Sequence, residues 1–559
     1  MNRKDPSSVK ELANDAVNTP AGDANNMVKE PANDAMNAQA GDANNLAKEP
    51  GSGRKNHRRV AWIAALAGVL VVALLVCLFF PKLFGKKNDM KNTGSDQEKM
   101  EAVAGSNGVN DNSDASKNGV NDNSDAGING TETTMSKAMR THLLASPVYP
   151  DIPMNADLID DQASDESMDQ YTIWREAITE LRAQPEGYED AYVEYCKSVI
   201  PILLSDTGNK NRVASPLSLY LALGMMAEIS DGNTRAQLLQ ALAESDIEEL
   251  RAHTQSLWLA NYMDDGFSKL VLANSLWMND NKEYKQEVLD ILATKYFAAS
   301  FSGDPAEEEY SKVFREWVNA QTDDLLNDMV DDLELDPNMV LALASTVNYS
   351  AKWTDKFNPD ENRHGAFHAA EGDVECEYMY NGSVWDYHKG ETFSAVQLST
   401  LYNGRVRFIL PKEGMTPEEL LGEEEVIEFL CNGDLMIAVG EEEEELAARF
   451  TVPKFDVETE IDLKPVMEDL GITDAMDQGS SDFSPLTLES NGVYISSAKQ
   501  DTRVMIDEEG CKAVSLTVVL MGAGGPEKFV DFTLDRPFIF EIVSETGLPI
   551  FVGIVNDPS

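Results

Sequence analysis

Between Asp507 and Phe540 the chain carries a segment built for two conformations, and that requirement limits the folds that can hold it. Asp507-Glu508-Glu509-Gly510 leads into a run of small and apolar residues. From Cys511 the alternate positions divide into Cys511, Ala513, Ser515 and Thr517 on one side and Lys512, Val514, Leu516 and Val518 on the other. A strand turns successive side chains to opposite faces, so this segment has one uniformly small face and one bulkier face. Such a strand suits sliding between others. Gly522-Ala523-Gly524-Gly525-Pro526 then breaks the pattern; it is too Gly-rich and Pro-bounded for a regular strand and reads as an exposed turn or loop.

Other stretches recur in a fixed order along the chain. Asn211-Arg212-Val213-Ala214-Ser215-Pro216-Leu217-Ser218 comes first, followed by Gly232-Asn233-Thr234-Arg235-Ala236-Gln237-Leu238, Ala273-Asn274-Ser275-Leu276-Trp277 and Trp317-Val318-Asn319. Lys352-Trp353, Val452-Pro453-Lys454-Phe455, Leu470-Gly471-Ile472-Thr473, Asp482-Phe483-Ser484, Asp535-Arg536-Pro537-Phe538 and Phe551-Val552-Gly553 complete the series. Together with the acidic pair and glycine that open the loop, this series resembles the serpins over roughly residues 188 to 559.

The resemblance implies an α+β fold of three β-sheets and eight or nine helices with an exposed, mobile reactive-centre loop. It implies suicide inhibition: a serine protease cleaves the loop, is held as an acyl-enzyme, and is carried away as the loop inserts into the large sheet. The hinge would be Glu508, Glu509, Gly510, Cys511, Lys512, Ala513, Val514 and Ser515. Ser215, Ser218, Ser345 and Gln500 would form the polar shutter that controls sheet opening, with Trp353 where the loop enters. Two of these depart from the family pattern, since Asn is usual at Ser345 and His at Gln500. Gln keeps a donor and an acceptor without the pH-dependent charge of His. Counting along the loop puts the reactive bond at Gly524-Gly525; counting back from Pro537 gives a slightly later position, so Met521, Gly522 and Ala523 stay in the window. That window holds no Arg or Lys, which points to elastase-like or subtilisin-like proteases rather than trypsin-like ones. A non-inhibitory serpin-fold binding or surface module is the alternative.

Catalytic and metal chemistry find little footing. His364 and His368 have the i, i+4 spacing of a helical metal pair, but no general-base Glu lies between them, and the resemblance puts them near a strand. The sequence has no G-x-S-x-G elbow, P-loop or dinucleotide fingerprint. The expectation is no enzyme, no metal and no cofactor, with Trp277, Trp317 and Trp353 as core and interface fillers. The five cysteines show no regular framework, so the fold should not depend on disulfides.

The chain ahead of residue 171 is of another character. Residues 1–59 are polar, with Val9–Met27 recurring as Val28–Leu46, and read as a disordered cytoplasmic tail. Val60 to Phe80 is an uncharged run that would span ~31 Å as a helix, enough for a bilayer. Arg54, Lys55, Arg58 and Arg59 before it, against Lys82, Lys86 and Lys87 after it, favour a single-pass cell-membrane anchor with the serpin domain extracellular. Residues 81–170, with Asn107–Ala115 repeated as Asn118–Ala126, read as a flexible linker ahead of a serpin domain at 171–559. Such an anchor with few cysteines fits a bacterial surface protein. Residues 1–90 hold 12 Lys and Arg against 9 Asp and Glu, a net of +3, so the whole-chain charge of −52 leaves −55 for residues 91–559. A domain that acidic repels nucleic acid and draws basic partners. It is expected to act as a monomer.

Overall fold

The computed structural model describes residues 135–152, 165–266, 268–330, 333–401, 404–432, 446–487, 492–511 and 528–559. In chain order the first elements are α1 (Lys137–His142), β1 (Leu143–Ala145), α2 (Asp165–Arg182), α3 (Asp190–Leu203), β2 (Arg212–Ala214), α4 (Pro216–Glu228), α5 (Gly232–Ala241) and α6 (Ile247–Asn261). Next come β3 (Met263–Asp264), β4 (Lys269–Asn279), α7 (Gln286–Lys295), β5 (Ala298–Gly303), α8 (Glu308–Thr322), α9 (Asn327–Val330) and β6 (Leu341–Lys352). A run of strands follows: β7 (Arg363–Ala369), β8 (Gly372–Val384), β9 (Tyr387–Lys389), β10 (Phe393–Ser399) and β11 (Arg405–Pro411). The chain continues through α10 (Pro417–Leu420), α11 (Glu424–Asn432), β12 (Leu446–Pro453), β13 (Phe455–Asp462), α12 (Leu463–Asp469) and β14 (Lys499–Ile506). It closes with β15 (Gly510–Cys511), β16 (Lys528–Thr533), β17 (Phe538–Val543) and β18 (Pro549–Val555).

Local chemistry accounts for the elements around the largest sheet. Ser215 caps α4 by accepting from the Ser218 amide, and Pro216 occupies the first helical position, where its missing N–H costs nothing. Nearly every residue of α4 is apolar and buried, as suits a helix running through the core. In contrast, α8 is amphipathic: Tyr310, Val313, Phe314, Trp317 and Val318 form one buried stripe. That stripe packs on Trp277 of β4 and Phe301 of β5, whose rings stack at 4.2 Å. Strands β17 and β18 are buried on both faces and read as continuous apolar runs. Within that sheet Arg407 and Glu541 form a fully buried ion pair at 3.1 Å.

Among the described residues the strands form four hydrogen-bonded groups rather than the three sheets expected. One is β1-β5-β4-β6-β15 with β3 on β4; the second is β2-β18-β17-β11-β10-β9; the third is β16-β12-β8-β7; and β13-β14 stand as a pair. The count differs for one physical reason: β6 and β14 face each other across a cleft without sharing a ladder. Helices also outnumber the eight or nine expected, because α1 and α2 precede the resembling region and α9 and α10 are single turns.

Residues 135–152 and the start of α2 fall in the stretch 81–170 expected to be a flexible linker, and here the structure corrects the expectation. Met139 and Tyr149 supply apolar surface that composition averaged over the stretch conceals: Met139 is buried against α8, and β1 pairs with the outer edge of β5. No helix among the described residues is long and apolar enough to cross a membrane. The run Val60 to Phe80 lies outside the described residues, as do the tail and most of the linker.

Candidate functional site

The cleft between β6 and β14 is the candidate site. On the far side of β6 from β4, β15 pairs antiparallel at its last residues only, Gly510 opposite Lys352 and Cys511 opposite Ala351. Below that point no strand among the described residues pairs with β6 on this side. Two small cavities, ≈ 40 and ≈ 30 Å³, lie in the gap, lined by Ser345 to Tyr349 of β6 and Gln500 to Met505 of β14. Ser215, Ser218 and Phe551 line it from the core, while Thr322, Leu325 and Leu326, at and just after the end of α8, line it as well.

Side-chain direction along β6 is settled by packing. Leu343, Val347, Tyr349 and Ala351 join the main core, whereas Ala342 and Ala344 pack toward α8. Residues directly opposite in an antiparallel pair share a face, and Ala351, the residue opposite Cys511, belongs to the core-facing set. The remaining small-face positions, Ala513, Ser515 and Thr517, lie outside the described residues. So do Lys512, Val514 and the whole tip window, Met521, Gly522, Ala523, Gly524 and Gly525.

At the top of the cleft the hinge is clamped by groups drawn from distant parts of the chain. The Trp353 indole N–H donates to the Asp507 carbonyl at 2.8 Å, and the Trp353 amide donates to the Glu509 carbonyl at 3.2 Å. Lys356 pairs with Glu509 at 2.6 Å, and Lys454 bridges Glu508 at 2.6 Å and Glu377 at 2.9 Å. Asn362 donates to Glu508 as well. Sequence reasoning quoted Lys454 within Val452-Pro453-Lys454-Phe455 without assigning it a role, and it missed Lys356, Asn362 and Glu377. Their spacing carries no local signal, because the four come from three distant parts of the chain: the β6–β7 connection, β8 and the turn between β12 and β13.

Burial pushes the Glu508 carboxyl up, but hydrogen bonds from Lys454, its own backbone and Asn362 outweigh that effect and hold it below the usual carboxylate range. A depressed carboxylate stabilises the fold fully above its unfolded value, about 4.3, and that stability is lost as pH falls through the folded value. Acid should therefore release the hinge. The rate at which the chain turns into a urea-resistant form is expected to stay level from neutrality down to about 4.3 and to rise only below it. In Glu508→Gln it should already be raised at neutral pH and should change less on acidification. Identical pH profiles for the two proteins would contradict the role given to Glu508.

The residues expected to form the shutter meet at mid-cleft through hydrogen bonds from Gln500 and the two serines. The Gln500 amide spans the backbone of Ser215: Oε1 accepts from its N–H at 2.9 Å, and Nε2 donates to its carbonyl at 3.0 Å. The Ser215 hydroxyl donates to the Ile550 carbonyl at 2.8 Å, and that of Ser218 to the Ser345 carbonyl at 2.9 Å. Ser345 itself contributes a buried hydroxyl with no partner. The structure thus brings together Ser215, Ser218, Ser345 and Gln500 at mid-cleft and sets Trp353 and the hinge at its top.

The histidine pair has no comparable geometry. His364 and His368 lie on strand β7, where four residues span ~13 Å, too far for one metal ion, and His368 instead meets Asp373 at 2.8 Å. Among the described residues, Cys196, Cys376 and Cys431 are buried free thiols.

Comparison with known proteins agrees with this geometry. A profile of the family described as Serpin (serine protease inhibitor) matches residues 191–558. Alpha-1-antitrypsin 1-3 of Mus musculus is 29% identical over 380 residues, covering 66% of this chain and 88% of that relative. Serpin-Z10 of Arabidopsis thaliana is 28% identical over 401 residues, covering 68% of this chain and 99% of that relative. Among solved structures, the thermophilic serpin Tengpin in its native state superposes with a TM-score of 0.59 at 26% identity, over 67% of this chain and 95% of its own. Thyroxine-binding globulin in complex with thyroxine superposes at 0.56 and 21% identity, over 66% and 99%, a likeness of fold alone. With its ordered motifs, its parted sheet and a family profile spanning most of its length, this chain belongs to the serpin family.

Proposed function

We propose that this protein inhibits serine proteases by trapping them, taking its own cleaved loop into the cleft as a new strand. The observation that carries the reading is the register of β15 on β6. Extended from Cys511 opposite Ala351, it would set Ala513 opposite Tyr349, Ser515 opposite Val347 and Thr517 opposite Ser345. These are the core-facing positions of β6, so the small face would meet the packed floor while Lys512, Val514 and Leu516 would turn outward. The Thr517 hydroxyl would also reach the partnerless hydroxyl of Ser345. The same register brings Met521 opposite Leu341, at the far end of β6, so the strand would be used up where the Met521–Gly525 window begins. Each inserted residue adds ladder hydrogen bonds and buries surface, and that gain drives the trap.

The tip without Arg or Lys favours elastase-like or subtilisin-like targets, and the net charge of −52 favours encounter with basic proteases. Val60 to Phe80 would hold the inhibitor at a cell membrane with the serpin domain outside. A non-inhibitory binding or surface module is the second reading. It is favoured by the bulky Lys512, Val514 and Leu516 in the hinge and by the fold-level likeness to a thyroxine-binding relative.

The test is incubation of the full chain with elastase, subtilisin, chymotrypsin and trypsin. The expected result is a denaturant-resistant covalent complex with elastase or subtilisin and none with trypsin. Loop cleavage that leaves every protease active would overturn the inhibitor reading in favour of the binding module.

A further inference from the structure

The family profile begins at residue 191, yet ordered structure begins ahead of it, and that added segment grips the helix beside the cleft. Ser136 caps α1 by accepting from the Met139 amide and donates its hydroxyl to Glu316 of α8 at 3.2 Å. Met139, 3% exposed, enters the cluster formed by Trp277, Phe301, Tyr310, Val313 and Trp317, the interface between α8 and the sheet. His142 bonds the Ser302 carbonyl of β5 at 2.9 Å, and its ring lies 5.1 Å from that of Tyr310 on α8. Leu143 and Ala145 then pair with Phe301 and Ser300, and Tyr149 packs against Trp258 at 4.9 Å. One short segment therefore holds both α8 and the strand beneath it.

What α8 leads into gives this grip its consequence. The helix ends at Asp323 in the left-handed conformation, φ 50°, and Thr322, Leu325 and Leu326 line the cleft. Asp323 is held on the near side by Lys269 at 2.7 Å and Asn348 at 2.9 Å. The Leu325 carbonyl faces Arg503 of β14 on the other side, at a longer 3.5 Å. The end of α8 thus bridges the two walls. A strand entering the cleft must part those walls by about 4.8 Å and displace the residues that bridge them.

We propose that residues 135–152 are a strap that pins α8 over the cleft and sets the rate at which the sheet admits a strand. This rests on the insertion reading above. The strap makes its contacts with the closed sheet and must loosen them when α8 lifts, so it stabilises the closed state relative to the opening one.

The test uses the full chain carrying Met139→Ala or His142→Ala, with the exposed Lys137→Ala as control. The readouts are the rate of spontaneous conversion to a urea-resistant form on warming and the amide exchange of α8. Both strap variants are expected to convert at least tenfold faster, equivalent to about 1.4 kcal/mol of barrier, and to lose protection in α8. Should either variant fold poorly, Ser136→Cys joined to Glu316→Cys by a short bifunctional crosslinker is expected to slow conversion instead. If the wild-type chain converts or traps protease but the strap variants and the crosslinked chain match its rate, the strap is overturned and the inhibitor reading stands. If no protein converts and none traps protease, both fall together.

Discussion

Replacing Gly510 with valine is expected to cut the yield of covalent protease complex at least tenfold while leaving the loop cleavable. Gly510 sits at φ +146°, a region that a branched side chain does not occupy without strain. A Cβ placed there would stand 2.3 Å from the Ala351 carbonyl oxygen and 2.7 Å from the Lys352 Cα, both backbone atoms that cannot swing aside. The pairing of β15 with β6 is therefore lost, and with it the first step from which insertion would propagate. On the proposed mechanism, deacylation competes with insertion once a protease has cleaved the loop, and slowing the second hands the outcome to the first. Titrating protease activity against the inhibitor measures the partition, and an unchanged melting temperature would show that the scaffold is intact. A variant that traps protease with wild-type stoichiometry would remove the hinge from the mechanism.

The largest loss of stability is expected from Arg407→Leu. Arg407 and Glu541 are 1% and 0% exposed, and the arginine also donates to Gln397 at 3.1 Å. Removing one partner of a buried pair strands the other charge, at a cost of about 3–5 kcal/mol, whereas replacing both with apolar residues is often neutral or better. Burial pushes the Glu541 carboxyl up to about 7 against the opposing pull of Arg407. An acid raised in the folded state binds its proton more tightly there than in the unfolded chain. Its contribution therefore favours folding at low pH and is lost as pH rises from about 4.3 towards 7. The Arg407→Leu penalty should accordingly be larger at pH 8 than at pH 5. Denaturant unfolding of Arg407→Leu, Glu541→Leu and the double variant at both pH values checks the sign. A double variant no more stable than the worse single one would contradict the account.

The sequence carried the site's chemistry further than its setting. Alternation from Cys511 onward is a local property, readable without contacts, and the family motifs placed Ser215, Ser218, Ser345, Gln500 and Trp353 around one feature that the structure then assembled. The partners of Glu508 could not be read in the same way. Asn362 and Lys454 converge on it, with Glu377 bonded to both of them in turn, only after four chain segments fold together, and a salt bridge across such separations leaves no periodicity. The strap was concealed by averaging. Residues 81–170 are rich in Asn, Asp, Gly and Ser, and composition over that length cannot register that Met139 and Tyr149 pack onto the domain's flank. The division of the large sheet was likewise out of reach, since β6 and β14 look like ordinary strands one at a time.

The central claim is that the cleft between β6 and β14 is a vacancy for the chain's own loop, and thermal unfolding of the full chain before and after loop cleavage tests it most directly. About ten added residues of ladder, at roughly 1 kcal/mol per hydrogen bond, should raise the melting temperature by more than about 10 °C. Amide exchange should slow along both Leu341–Lys352 and Lys499–Ile506. A cleaved chain that melts where the intact one does, with exchange in β6 and β14 unchanged, would contradict it.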